Sequence, residues 1–363
     1  MHLKSLTGLR WYAAVMVYLA HTYHFDYFGM SGDWLRVVSR LGHMGVSLFF
    51  VLSGFVLAIN YPPERCRFRD FYSARFARIY PAYILGIFAA IPMEWIAKKG
   101  DYATAFLSQA FLVQGFFGPL SGRFNDVGWT LSVEAFFYLC FPFIILYAGQ
   151  RKISRMAALC GVALVLTVVQ TFLGGNSFAA TYRFPSQRLF EFMTGILMGL
   201  CYTQCLFATA IRQRTKAAAT GAVFCVMLMV LSPLLFKNID FLEKTSFILY
   251  GLISAAFLFL IANLERIRVP MGMFTHPLVV VGGEISFSFY LFHNLLLRYM
   301  EGTLKVFRED SLAQWALGAQ VTTALVVFIA TVIISWLVFT CVETPGRKII
   351  RRFLMPSKSP EAA

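Results

Sequence analysis

Residues 131–148 read LSVEAFFYLCFPFIILYA, and this stretch decides the fold class. A helix of this length covers about 27 Å, close to the roughly 30 Å hydrocarbon core of a bilayer. One ionisable carboxylate, Glu134, interrupts the apolar run. A charge in lipid costs several kcal/mol and is usually retained for a function. The stretch therefore predicts a membrane-spanning helix and marks Glu134 as a candidate functional residue.

The composition of the whole chain is that of a membrane protein. Of its 363 residues 58% are hydrophobic and 14% charged, and the mean hydropathy is +0.67. A soluble domain of this size would carry more charge on its surface. The net charge of +14 comes from short basic clusters between apolar blocks, where Lys and Arg determine topology. We therefore expect a lipid bilayer as the surrounding medium and no nucleic-acid partner.

Eleven apolar blocks follow one another along the chain. They lie at 6–27, 42–61, 79–97, 103–118, 129–149, 156–173, 187–206, 217–236, 245–263, 277–300 and 313–342. The first block lacks a cleavage site for a secretory signal, so we predict a retained helix. If all eleven crossed, basic loops would lie on both sides of the membrane, against the positive-inside rule. Block 103–118 is the shortest and carries Gln109 and Gln114, which favours a re-entrant or interfacial segment.

The predicted fold is an all-α, polytopic membrane helix bundle of about ten transmembrane helices plus that one segment. Both termini then lie in the cytoplasm, with 20 of the 32 Lys and Arg residues on the inner side. We predict a single integral-membrane domain over 1–355 and a disordered tail over 356–363. The seven cysteines form no C-x-x-C pair, and Cys201 and Cys205 have no flanking ligand at metal-site spacing, so no metal is expected.

Several intramembrane polar groups share one depth in this topology. Arg10 and His21 are 11 residues apart on the first helix, on nearly the same face and about 16 Å apart. Glu134 and His293 fall in the outer halves of their helices, at the depth of His21. A histidine near a buried carboxylate is typical of a general base. For His21 alone, a structural hydrogen bond between helices is an equally good interpretation.

Arg75 and Arg78 stand three residues apart at the start of a predicted helix. This spacing places both guanidiniums on one face, a geometry that suits phosphate groups. The alternative is that both are positive-inside anchors in a loop with five arginines.

Six ordered motifs that cover nearly the whole chain resemble the acyltransferase 3 family of integral-membrane O-acyltransferases. They are LTGLRWYAAVMVYLAH (6–21), GHMGVSLFFVLSGFVLA (42–58), RFARIYPAY (75–83), WTLSVEAFFYLCFP (129–142), ISFSFYLFHNLLL (285–297) and VETPGRKII (342–350). The resemblance implies transfer of an acyl group, usually acetyl from acetyl-CoA, to a sugar hydroxyl.

The same resemblance assigns roles to residues of these motifs. His21 is the implied catalytic base, and Glu134 its partner or a substrate ligand. Arg75 and Arg78 are candidates for the phosphates of CoA, and Arg10 is a structural or donor-side cation. The candidate substrate-binding residues are Arg10, Trp129, Ser132 and His293. Two positions depart from the family pattern, since Ala135 and Ser47 stand where many members carry an acid.

The resemblance also implies a setting. We expect a multi-pass protein of the bacterial cytoplasmic (inner) membrane with acetyl-CoA as donor co-substrate. A polysaccharide or lipid-linked oligosaccharide is the expected acceptor, with glycan-assembly proteins as candidate partners. The competing hypothesis is a transporter of acyl groups or lipid-linked saccharides that uses Arg10, Glu134 and His293 as pathway residues.

Overall fold

The computed structural model describes residues 3–24, 33–149, 152–174, 182–235, 244–308 and 317–354. The tail predicted to be disordered, 356–363, lies outside these ranges. Within them all regular structure is helical. The α-helices are α1 (Lys4–His24), α2 (Asp33–Asn60), α3 (Phe68–Ile96), α4 (Tyr102–Ala110), α5 (Trp129–Ala148), α6 (Lys152–Leu173), α7 (Leu189–Thr203), α8 (Ala208–Gln213), α9 (Thr215–Leu235), α10 (Ser246–Arg266), α11 (Gly272–Thr275), α12 (Pro277–Arg308), α13 (Leu317–Val338) and α14 (Thr344–Leu354).

Eight stretches of the described chain are long and apolar enough to cross a bilayer. They are Val38–Asn60, Phe68–Ile96, Asp126–Ala148, Ile153–Leu173, Thr215–Ser232, Ser246–Arg266, Pro277–Thr303 and Val321–Leu354. The predicted all-α polytopic membrane bundle is confirmed. The predicted spans at 6–27 and 187–206 correspond to α1 and α7, which are not among these eight. Helix α7 has 15 residues, about 22 Å, which is shorter than the hydrocarbon core of a bilayer.

The block 103–118 does not form a long helix. Its helix, α4, has nine residues, about 14 Å, and two short 3₁₀ turns follow it. Gln109 and Gln114 are fully buried, and Gln114 Nε2 donates to the Gly128 carbonyl oxygen at 2.7 Å. The prediction that this block is not a spanning helix is confirmed, because α4 is too short to cross a bilayer.

Helix α1 lies at the centre of the functional part of the bundle. It packs along α2 on one side and along α12 on the other. Its N-terminus is fixed by Glu265 at the end of α10, whose carboxylate accepts hydrogen bonds from the backbone N–H groups of Lys4 (2.9 Å) and Ser5 (3.1 Å). A carboxylate at a helix N-terminus also interacts favourably with the helix dipole.

Helices α2 and α7 cross with their backbones in contact. A β-carbon added to Gly195 would overlap the Val51 carbonyl oxygen, and one added to Gly54 would overlap that of Phe192. Close approach at small residues is a usual way for membrane helices to pack.

We expect Gly195→Ala to destabilise the protein by about 1–3 kcal/mol, because the added methyl group forces α2 and α7 apart. Gly161→Ala is the matched control, since nothing lies within 4 Å of a β-carbon at that helical position. The measurement is the thermal unfolding midpoint in detergent. Equal midpoints for the two variants would show that the α2–α7 contact is not tight.

Candidate functional site

Three cavities succeed one another along α1 and α2. The first, of about 1030 Å³, is lined by His21 near the end of α1 and is called the His21 cavity. The second, of about 70 Å³, is lined by Arg10 and is called the Arg10 cavity. The third, of about 490 Å³, is lined by Arg347 of α14 and is called the Arg347 cavity.

Neighbouring cavities share lining residues. Val46 and Tyr290 line both the His21 and the Arg10 cavities. Arg10 and Arg78 line both the Arg10 and the Arg347 cavities. The three spaces therefore form a row with a narrow centre.

His21 and His293 are in direct contact. His293 Nε2 lies 3.2 Å from His21 Nδ1, and the ring centroids are 5.0 Å apart. His293 is fully buried in α12, whereas His21 is half-buried at the cavity. The structure thus brings together one predicted catalytic residue and one predicted substrate-binding residue.

The contacts of the two rings determine their tautomers. His293 Nδ1 lies 2.8 Å from the Tyr290 carbonyl oxygen, and His21 Nδ1 lies 2.9 Å from that of Val17. Each Nδ1 therefore carries a hydrogen, because only an N–H donor bonds to a carbonyl oxygen. The one hydrogen on His21 Nδ1 is then shared between the Val17 carbonyl oxygen at 2.9 Å and the Nε2 of neutral His293 at 3.2 Å, so the lone pair of His21 lies on Nε2. A histidine oriented in this way can accept a proton at Nε2.

Glu134 does not hydrogen-bond to His21. Its Oε1 accepts hydrogen bonds from Ser53 Oγ (2.8 Å) and from the Tyr138 hydroxyl (3.1 Å). Glu134 and Arg10 both line the Arg10 cavity. The structure therefore places Glu134 beside a second cavity and not in hydrogen-bond contact with His21.

The course of α5 explains this difference. Trp129 at the start of α5 lines the His21 cavity. Glu134 lies five residues further on, about 7.5 Å along the axis. This step carries the carboxylate from the level of the first cavity to that of the second.

Arg75 and Arg78 have different surroundings, although both lie on α3. Arg78 lines the Arg10 and Arg347 cavities. Arg75 lines none of the three, and its Nη2 donates to the Tyr61 hydroxyl at 3.1 Å. Its guanidinium also lies 5.3 to 5.9 Å from the ring centroids of Tyr61, Tyr138 and Phe71. Of the two predicted phosphate ligands, only Arg78 faces a cavity.

Trp129 and Ser132, one turn apart on α5, also differ. Trp129 lines the His21 cavity, and the Arg183 guanidinium lies 6.0 Å from its ring centroid. Ser132 is fully buried, lines none of the three cavities, and its Oγ accepts a hydrogen bond from the Gly115 backbone N–H at 3.1 Å. The hydroxyl of Ser132 thus supports the segment that follows α4, and its substrate-binding role stays a prediction.

Ser47 lies beside a buried ion pair. Arg188 Nε is 2.7 Å from Glu191 Oε2, and both side chains are fully buried. Arg188 Nη2 donates to Ser47 Oγ at 3.2 Å. The arginine beside Ser47 is thus neutralised by a carboxylate from α7, which accounts for a neutral residue at this position.

Arg347 and Asn294 are among the cavity-lining residues that the sequence had not singled out as site residues. Arg347 was counted only as a positive-inside charge. Asn294 follows His293 directly, and a second polar residue inside an apolar run was the signal that could have identified it. In the described part of the chain, no three His, Cys, Asp or Glu side chains are grouped to hold a metal ion.

Comparisons with known proteins found one family and several relatives. A family model described as an acyltransferase domain matches residues 3–340. Acyltransferase MdmB of Streptomyces mycarofaciens is 28% identical, over 99% of this chain and 96% of that protein. O-acetyltransferase OatA of Staphylococcus aureus is 22% identical, over 96% of this chain and 57% of that protein. No solved structure matches the chain significantly.

Proposed function

This chain belongs to the acyltransferase 3 family, and on that premise we propose that it transfers an acetyl or other short acyl group from acetyl-CoA to a sugar hydroxyl. The proposed acceptor is a bacterial exopolysaccharide or a lipid-linked glycan. One observation carries this proposal: the row of cavities has a histidine pair at one end and three arginines at the other. Membership of an acyltransferase family also removes the reason to prefer a transporter.

The Arg347 cavity is the proposed donor site. Arg10, Arg78 and Arg347 line it together with two carboxylates, Glu284 and Glu343. Guanidinium groups bind phosphates through paired hydrogen bonds, so this cluster suits the phosphates of CoA. We place this end of the protein at the cytoplasm of the inner membrane, because acetyl-CoA is cytosolic and inner-side loops are rich in arginine.

The narrow centre of the row suits the shape of the donor. A space of about 70 Å³ admits an extended chain but not a nucleotide. Between Arg10 and His21, α1 rises about 16 Å. We infer that the nucleotide stays in the Arg347 cavity while the pantetheine arm carries the thioester toward His21.

The proposed reaction is direct transfer at the His21 cavity. The sugar hydroxyl oxygen attacks the thioester carbonyl carbon while His21 Nε2 takes the hydroxyl proton. The new C–O bond forms and the C–S bond breaks. The CoA thiolate leaves and takes the proton back from the His21 imidazolium. His293 accepts the hydrogen bond from His21 Nδ1 throughout and holds the ring in position.

We expect Arg78→Gln to raise the KM for acetyl-CoA about ten- to a hundredfold, because it removes a charge-assisted hydrogen bond to phosphate. Arg69→Gln is the matched control, since Arg69 is exposed on the same helix. The measurements are saturable binding of radiolabelled acetyl-CoA to the detergent-purified protein and the rate of its hydrolysis. Equal effects of the two variants would indicate loss of general surface charge. No saturable binding to the unaltered protein would contradict the choice of donor.

A further inference from the structure

The His21 cavity contains more basic residues than we expect for the non-cytoplasmic side of the membrane, where the proposed function puts it. Among the described residues five cations line it, against two carboxylates. The cations are Arg40, Lys99, Arg183, Lys244 and Arg298, and the carboxylates are Asp126 and Glu301. The positive-inside rule predicts few cations on the non-cytoplasmic side. A cleft lined by an excess of one charge concentrates ligands of the opposite charge.

Two arginines of this cavity differ in how their charge is balanced. Arg183 makes two hydrogen bonds to the carboxylate of Asp126, at 2.9 and 3.1 Å. Arg298 is half-buried on α12, and its Nη1 donates at 2.7 Å to the backbone carbonyl oxygen of Phe124, a neutral partner. No carboxylate in the described part of the chain forms an ion pair with Arg298. A guanidinium has five N–H donors, so Arg298 retains the capacity to bind an anion.

Asn294 lies one helical turn before Arg298 and lines the same cavity. Its side chain is 3% exposed, and its Oδ1 makes no hydrogen bond within the described residues. A buried polar atom without a partner costs about 1–3 kcal/mol. Oδ1 itself is shielded from the cavity, so a rotation of the amide beside His293 is what would let a ligand supply the missing hydrogen bond.

We propose that the acceptor sugar carries an anionic group, a carboxylate or a phosphate, and that Arg298 binds this group. This inference rests on the proposed function, because it specifies the acceptor of the same site. The Asn294 side chain, with its amide rotated toward the cavity, hydrogen-bonds to a sugar hydroxyl near His21. Asn294 and Arg298 are four residues apart, about 6 Å along α12, so the anion lies about one sugar ring from that hydroxyl. A uronic acid and a glycosyl phosphate both have this chemistry.

The test compares three acceptors with the detergent-purified protein. They are methyl glucoside, methyl glucuronide and glucose 1-phosphate, and the readout is release of the CoA thiol from acetyl-CoA. We expect the KM to be about ten- to a hundredfold lower for an anionic sugar than for methyl glucoside. The glucuronide and the phosphate separate a carboxylate from a phosphate as the recognised group. Equal KM values for all three sugars would overturn the inference.

Two variants assign the preference to Arg298. Arg298→Gln should abolish the preference for anionic sugars, so that the KM values for neutral and anionic sugars become about equal. Arg298→Lys should keep part of the preference because the charge remains. Retention of the full preference in Arg298→Gln would also overturn the inference.

A binding measurement makes the test independent of turnover. Equilibrium dialysis with labelled glucose 1-phosphate and labelled glucuronide should show saturable binding that Arg298→Gln weakens at least tenfold. Absence of Arg298-dependent binding of either probe would overturn the inference even where acetyl-CoA is hydrolysed. If the unaltered protein neither binds nor hydrolyses acetyl-CoA, the proposed function itself is contradicted. Failure of the inference about the acceptor can therefore be distinguished from failure of the proposed function.

Discussion

His21→Ala is expected to lower the rate of acyl transfer by about a hundred- to ten-thousandfold while the protein stays folded. General base catalysis contributes a factor of this size when a positioned side chain takes the proton of the attacking group. Nε2 of His21 carries the lone pair in the tautomer that its contacts require. The side chain is half-buried at the edge of a large cavity, so its removal leaves the packing of the surrounding helices in place.

The measurement is the initial rate of CoA release at saturating acetyl-CoA, beside the thermal unfolding midpoint. His276→Ala is the matched control, because His276 lies between α11 and α12 and lines none of the three cavities. If His21→Ala loses the rate but keeps the unfolding midpoint, the loss is due to chemistry and not to misfolding. A His21→Ala variant that keeps more than about a tenth of the rate would remove His21 as the base.

The fold could be predicted from the sequence because a bilayer imposes simple constraints. A spanning helix needs about 20 apolar residues, and basic loops favour the cytoplasm. These two rules identified 103–118 as the segment that does not span, and α4 is indeed short. Eight of the ten predicted spans coincide with helices of the described chain that are long and apolar enough to cross a bilayer.

The site was harder to predict, because residue counts give the position of a side chain only within its own helix and not how far neighbouring helices are shifted along one another. Counting placed His21, Glu134 and His293 at one level. In the structure His293 contacts His21, while Glu134 lies at the level of the Arg10 cavity and accepts a hydrogen bond from Ser53. The position of α5 relative to α1 is set by packing across the bundle, which no local pattern encodes.

Contacts between distant parts of the chain also determine which residues line the proposed donor site. Arg347 and Arg10 both line the Arg347 cavity, and a π-helical turn, Phe339–Glu343, joins α13 to α14, which carries Arg347. In that turn Glu343 accepts a hydrogen bond from Ser288 of α12 at 2.9 Å, which ties the C-terminal helices to the centre of the bundle. The sequence gives Arg347 as one of several C-terminal cations and contains no signal that separates it from the others.

The same geometry answers why Glu134 is retained in an apolar helix. Its carboxylate lines the Arg10 cavity together with Arg10, and Ser53 and Tyr138 donate hydrogen bonds to it. A charge inside an apolar helix is costly unless polar groups surround it. We therefore infer that these hydrogen bonds and the cavity stabilise Glu134 at the narrow centre of the row.

His293→Phe is expected to lower kcat about a hundredfold with little change in the KM for acetyl-CoA. Phenylalanine keeps a ring of similar shape beside Phe289, whose ring is stacked on that of His293. It removes the Nε2 acceptor that orients His21, so the base loses its fixed position. The proposed donor cavity near Arg347 is not lined by His293, so donor binding should persist.

His293→Gln distinguishes positioning from packing. A glutamine side-chain oxygen can accept the hydrogen bond from His21 Nδ1, so this variant should recover part of the kcat that His293→Phe loses. Loss of packing would instead affect the Gln variant at least as much, because Gln lacks the ring. The comparison needs kcat, KM and the thermal unfolding midpoint of both variants. Equal kcat in both variants would show that the acceptor at Nε2 does not position His21, and the base would then have to be oriented by the Val17 carbonyl alone.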